Sequence, residues 1–364
     1  MIKFYSINKS DKKIKKKILK SLNRIIEKNS FIMGGEVIKF ENKFKKLCKS
    51  KYALSCSNGT DAITLALLSL NIEKNSEVII PAMTYASTFY AVLNAGMKPI
   101  LVDINANDPL INFEEVKKKI NKKTKVIIPV HLYGSVVNIE KLISIIKNKK
   151  IYIIDDCSQA HGAMYFNKKM VGGENITNIS TFSLYPGKNL GAYGDAGIIT
   201  TNNAKYGERI KKMRNIGALK KFKHETIGFN NRLDTFQASV LNHKIDRLNF
   251  LNKRRKLIAK KYFKLIKNKN ISFLDYSNYA VFHQFVISVH NRQKLVNYLN
   301  YKKIEYGLHY PHSINQMEYY KKKFKNEKFK NAEKLARTCI SLPIDPMLKE
   351  NEITYIINSL NNFK

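Results

Sequence analysis

No stretch of this sequence is apolar for long enough to cross a membrane: the longest runs, AITLALLSLNI among them, stop well short of the roughly 20 residues a helical span needs. The opening residues, MIKFYSINKSDKKIKKK, are polar and basic and hold no apolar segment of the kind a secretory signal requires. Cysteine is scarce. The four present, Cys48, Cys56, Cys157 and Cys339, are scattered and include no CxxC pair, which argues for reduced thiols in a cytoplasm and against a disulfide framework or a zinc site. Internal repeats and low-complexity linkers are missing too. The expectation is a cytoplasmic globular protein. A length of 364 residues, 44% of them hydrophobic, leaves room for one large domain and a smaller one.

Acidic residues are also few, 28 against 65 Lys and Arg, for a net charge of +37. Such an imbalance invites a nucleic-acid or anionic-membrane partner. The lysines, however, are spread along the whole chain. KKIKKKILKSLNR, EEVKKKINKKTK and YYKKKFKNEKFK read as solvated faces of amphipathic helices, and no recognition-helix, zinc-finger or RNA-binding signature accompanies them. A general bias toward Lys, Ile and Asn accounts for the charge. The expectation is no specific nucleic-acid partner and no membrane, with a part in attracting phosphorylated substrates left open.

What is present is alternation. From about Lys51 to Thr201, strand-like KYALSCS, SEVIIP, KPILVDI, KVIIPVH, KIYIIDD, ISTFSLY and AGIITT are mostly separated by helical patterns such as TDAITLALLSL, YASTFYAVLNAG and NIEKLISIIKN. This predicts an α/β fold: a mostly parallel central sheet flanked by helices, with ligands beyond the carboxyl ends of the strands. A single long helical pattern from about Asp234 to Lys267 leads out of it. FVISVH, LVNYLN and ITYIINSLNN then suggest a smaller C-terminal α/β domain. The expected division is 1–245 and 246–364.

The polar residues after each strand carry the chemistry. Gly59 and Thr60 follow the first strand and open a helix, a seat for a phosphate; the alternative is a helix cap made by Asn58 or Thr60. Tyr85 follows the second and can stack on a flat heterocycle or simply cover the core. Asp156 ends KIYIID; a carboxylate there needs a positive partner, and a protonated pyridine nitrogen would be one, while the alternative is a helix N-cap. After ISTFS the glycines and proline of LYPGKNLGAYGDAG crowd Lys188 into an irregular loop, where partial desolvation makes a lysine nucleophilic toward carbonyls. Ser183, five residues earlier, can donate to a phosphate.

In this order NGTDA, TYAST, DDCSQAHGA and FSLYPGKNLGAYGDAG resemble the DegT–StrS family of nucleotide-sugar aminotransferases, with FIMGGEVIKFE, RNIG, IGFNNRLDTFQAS, GLHYPHS and ISLPID extending the match over nearly the whole chain. The resemblance implies the PLP-transferase fold type I and pyridoxal 5'-phosphate as cofactor. Lys188 matches the lysine that holds it as a Schiff base and shuttles the proton, and Asp156 the carboxylate that keeps the pyridine nitrogen protonated. Gln159 matches a residue near the phenolic oxygen, Tyr85 the stacked aromatic, and Gly59, Thr60 and Ser183 the phosphate seat. Asn230 matches an asparagine that reaches the phosphate of the neighbouring subunit's cofactor, which implies a homodimer with shared active sites; the alternative is a turn residue after Gly228. His309, Tyr310 and His312 look like substrate-side residues. No carboxylate or cysteine joins the two histidines at ligand spacing, so no metal is expected. His161 either flanks the cofactor or is structural.

The implied reaction moves an amino group from L-glutamate to a nucleotide-linked keto sugar. YPGKNLGAYGDAG looks more like the 3-keto enzymes than the 4-keto ones, with Ala196 a departure where many members have glycine. Dehydrating relatives replace the lysine, typically by histidine, and this chain keeps it. A basic nucleic-acid-binding or regulatory protein on the same fold is the alternative from another class.

Overall fold

The computed structural model describes residues 1–6, 11–147, 149–174, 176–220, 222–324 and 327–364. Short aliphatic runs form the main sheet: β1 Tyr52–Cys56, β2 Glu77–Pro81, β3 Lys98–Val102, β4 Thr124–Ile127, β5 Tyr152–Asp156, β6 Ile179–Ser183 and β7 Gly197–Thr201. Across the sheet they stand in the order β1-β7-β6-β5-β4-β2-β3. The pairs β2–β3, β2–β4, β4–β5 and β5–β6 are parallel, and β7 runs antiparallel to both β6 and β1. The expected α/β architecture, mostly parallel and flanked by helices, is met.

Alternation along the strands builds the two faces. Leu54, Val78, Ile80, Ile154 and Ile199 pack on one side with the helices Gly59–Ser69 and Ala86–Asn94. Their neighbours Ala53, Ile79, Ile153 and Ile198 pack on the other with the helices Gly35–Cys48 and Ile139–Ile146. Successive side chains of a strand point to opposite faces, so runs such as EVIIP must be apolar throughout when both faces are covered.

The single long helix expected from Asp234 to Lys267 is instead two, Thr235–Lys244 and Leu248–Leu265, joined by a tight turn at Ile245–Arg247. The surroundings differ on either side of the turn. The first helix is buried almost all round, including Ser239, Asn242 and Lys244, whereas the second buries one stripe, Leu248, Leu251, Arg255, Ile258 and Tyr262. Beyond it Ile271–Phe273, Phe285–Val289 and Cys339–Leu342 make a small antiparallel sheet covered by the helices Arg292–Tyr301 and Glu350–Asn361. Ile2, from the other end of the chain, joins this cluster and bridges to Ile304. No described helix is long and apolar enough to cross a membrane.

Candidate active site

The chain order reverses between β2 and β4: β3 lies to one side of β2, and β4, β5 and β6 follow on the other. A crevice opens at the carboxyl edge of such a switch point. Because β1 and β6 are both antiparallel to β7, the end of β1 reaches the same edge. There a cavity of about 820 Å³ collects the residues that follow the strands: Asn58–Asp61, Thr84 and Tyr85, Ser87 and Thr88, Val130, Asp156, Ser158 and Gln159, Ser183, and Lys188.

The helix Gly59–Ser69 starts against β6. Asn58 caps it, its side-chain oxygen accepting from the Asp61 N–H at 2.8 Å, so the cap expected of Asn58 or Thr60 belongs to Asn58. This cap does not use the N–H groups of Gly59 and Thr60, the helix's first orphan donors. The Thr60 hydroxyl donates to Ser87 at 2.8 Å. A Cβ on Gly59 would stand 2.6 Å from the Ser183 Cβ, so only glycine lets the helix start and Ser183 meet. The cap is compatible with a phosphate seat at the same helix start.

Asp156 is buried at the tip of β5. It accepts from the Thr88 hydroxyl at 2.9 Å and from the Ser158 N–H at 3.1 Å. Among the described residues no helix lies between β5 and β6, so the alternative reading of Asp156 as an N-cap falls away. Gln159 is fixed at both ends of its amide: the Tyr133 N–H donates to its Oε1 at 2.6 Å, and its Nε2 donates to the Tyr310 hydroxyl at 3.0 Å. Tyr310 in turn packs against Tyr85, ring centroids 5.5 Å apart, and Tyr85 is 56% exposed at the rim.

Lys188 stands in a turn closed by its N–H to the Tyr185 carbonyl. Burial lowers its amine from the usual 10.5 to about 8, while the charge of Asp156 pulls it back up. His161 and His309 are brought down to about 3 and about 4, and His283 well below 6.5, in each case first by burial and then by the charge of Lys188. All three are therefore neutral at pH 7, and Lys188 is the group beside them poised to exchange a proton.

Of the residues named from sequence, the structure brings together Gly59, Thr60, Tyr85, Asp156, Gln159, Ser183, Lys188, His309 and Tyr310. Two lie elsewhere. His312 is exposed outside the cavity, and Asn230 is exposed beside Asn215, also outside it. His161 sits buried against Phe182 and does not line the cavity. Sequence reasoning missed Thr88, Arg255 and His283, whose places depend on chain pairings distant in sequence, and Ser158, which sits two residues after Asp156 in the same motif. For Thr88, one turn after Tyr85, the helical spacing was the available signal.

His131, Asp155 and Cys157 cluster beneath the site closely enough to suggest a metal. The Val137 N–H donates to His131 Nδ1, which puts the ring proton on Nε2, facing Asp155 Oδ1 at 3.0 Å. The Tyr165 hydroxyl donates to the other carboxylate oxygen, and burial raises the Cys157 thiol well above 9. These contacts tie His131, Tyr165 and Asp155 together behind the end of β5.

The donor set fits pyridoxal phosphate. Gly59 admits the helix start and Ser183 to one phosphate seat, Asp156 offers a fixed buried carboxylate to a ring nitrogen, and Lys188 offers an amine that is partly neutral near pH 7.

The family model described as DegT/DnrJ/EryC1/StrS aminotransferase matches residues 12–361. A dTDP-3-amino-3,6-dideoxy-alpha-D-galactopyranose transaminase of Aneurinibacillus thermoaerophilus is 37% identical, covering 100% of this chain and 99% of its own. A pleiotropic regulatory protein of Geobacillus stearothermophilus is 33% identical, covering 96% and 95%. Among solved structures, S. venezuelae DesV in complex with a ketimine intermediate has a TM-score of 0.95 at 30% identity, over 99% of this chain and 97% of that one.

Proposed function

Because this chain belongs to the DegT/DnrJ/EryC1/StrS aminotransferase family, we propose that it transfers an amino group from L-glutamate to C-3 of a nucleotide-linked 3-keto sugar, such as a 3-keto-6-deoxyhexose. The product is a nucleotide-linked amino sugar for a surface polysaccharide or glycoconjugate. The cofactor is pyridoxal 5'-phosphate, which when bound supplies an electron sink for the carbon that loses a proton. The observation that carries the reading is Lys188, its amine brought to about 8 and set beside the buried carboxylate of Asp156.

The roles follow from the surroundings. Lys188 anchors the cofactor and, once released, holds and moves a proton at Nζ. Asp156, kept in place by Thr88 and Ser158, pairs with the ring nitrogen. Ser183, Gly59 and Thr60 hold the phosphate, Gln159 lies near the phenolic oxygen, and Tyr85 covers the ring. His309 and Tyr310 face the sugar, with the His309 ring fixed by Ser341 at 2.7 Å. Asn230, exposed and away from this chain's own cavity, reaches the partner's phosphate in a homodimer with shared sites. Preference for C-3 is supported by the NLGAYGDAG segment and by the 37% identical relative, whose name is that of a 3-amino-sugar transaminase.

Incubation with L-glutamate and a panel of dTDP-, UDP- and GDP-linked 3-keto and 4-keto sugars, read by mass spectrometry, tests this. A 3-amino product with 2-oxoglutarate is expected. Amination only at C-4 would move the assignment to the 4-keto group. Absence of 2-oxoglutarate, with salt-dependent DNA binding retained in Lys188→Ala, would favour a regulatory protein instead.

A further inference from the structure

Part of the cavity wall comes from the C-terminal half of the chain and includes Arg255, His283 and Asp345. Arg255 is only 4% exposed, yet among the described residues its Nε and Nη1 find no hydrogen-bond partner. Asp345 attracts it through space, but the Asp345 oxygens already accept the N–H groups of Ser6 and Met347, each at 2.7 Å. A buried guanidinium short of acceptors is unfavourable by itself and is matched by an anion entering the cavity. Arg255, His283 and Lys188 line the same cavity, which sets the guanidinium in the space the reacting amine opens into. Burial keeps His283 neutral, and it does not compete for the anion.

We propose that Arg255 is the seat for the α-carboxylate of the amino-acid donor. This rests on the aminotransferase reading above and adds which residue selects the donor. An amino acid reacting next to Lys188 carries its carboxylate one carbon from its amine. A planar guanidinium fixed on the helix Leu248–Leu265 suits that group better than a flexible ammonium. The keto sugar has no such carboxylate, so Arg255 serves one half of the reaction and not the other.

The test uses full-length protein loaded with pyridoxal phosphate and titrated with L-glutamate, following the change in its visible absorbance. Binding of 2-oxoglutarate to the cofactor-free protein is measured separately by calorimetry. Arg255→Gln is expected to weaken both by about 10-fold or more, Arg255→Lys by less, with circular dichroism and cofactor occupancy unchanged. Consumption of keto sugar by protein already in its amino form is expected to keep its KM. Wild-type conversion with an unchanged glutamate midpoint in Arg255→Gln would overturn the assignment. If Arg255→Gln does not fold, an unchanged midpoint in Arg255→Lys would do the same. A wild-type protein that glutamate leaves unconverted would instead remove the proposed function, and this inference with it.

Discussion

Lys188 is one of many lysines, and what sets it apart is desolvation. In water its amine would hold its proton to about 10.5; burial favours the neutral form and brings that to about 8, against the opposing pull of Asp156. The sign is that of a depressed base: the charged form predominates only below about 8 rather than up to 10.5, and the neutral nucleophile gains as pH rises through the lower value. Capture of pyridoxal phosphate by the cofactor-free protein, followed by absorbance, is therefore expected to speed up with pH and level off above about 8. Asp156→Asn should move that midpoint lower, because it removes the charge that raises it. A midpoint left near 10.5 would show that burial does not act as described. Lys188→Ala should still bind the cofactor but lose turnover by about 1000-fold, measured with glutamate and keto sugar. Asp156→Ala should lose roughly 100-fold through a weaker electron sink; an undiminished rate would mean that another carboxylate serves the ring.

At the scale of elements, the strands and most helices were legible because each has a local signature: aliphatic runs of strand length, then amphipathic or apolar helical spacing. The break at Ile245–Arg247 was not, since the apolar pattern runs through it and only the change from an enclosed helix to a one-sided one requires it. The meeting of the helix Gly59–Ser69 with β6 is the element contact that matters most for the site. Gly59→Ala would press a methyl to 2.6 Å from the Ser183 Cβ and 3.0 Å from its Cα, which backbone in a central strand cannot yield. Affinity for pyridoxal phosphate, measured by equilibrium dialysis in a Lys188→Ala background, should fall by about 10-fold or more, while circular dichroism stays unchanged.

For the whole molecule the open question is what completes the site. Asn230 is exposed, outside the cavity of its own chain, where a residue that acts across a dimer would stand. Lys188→Ala and Asn230→Ala, each inactive or nearly so, should recover activity when refolded together, to about a quarter of wild type, because half of the dimers then carry one intact site. No recovery on mixing, read by 2-oxoglutarate release, would place Asn230 in its own chain's site or outside any site.

By itself the sequence determined the α/β class and the order of the strands along the chain, and it put forward the lysine, carboxylate and phosphate-seat candidates that follow them. Those are local facts, because periodicity and strand-end chemistry act over a few neighbouring residues. Only the tertiary structure decided which of them share a cavity and what holds them there: Thr88 on Asp156 across 68 positions, Tyr133 on Gln159 across 26, and Arg255 buried in a wall that the sequence presents as one more basic helix. It also left His312 outside the cavity that His309 and Tyr310, its neighbours in the motif, line, and placed Asn230 outside that cavity too. Burial and pairing between distant segments depend on the sheet order, which no local pattern encodes.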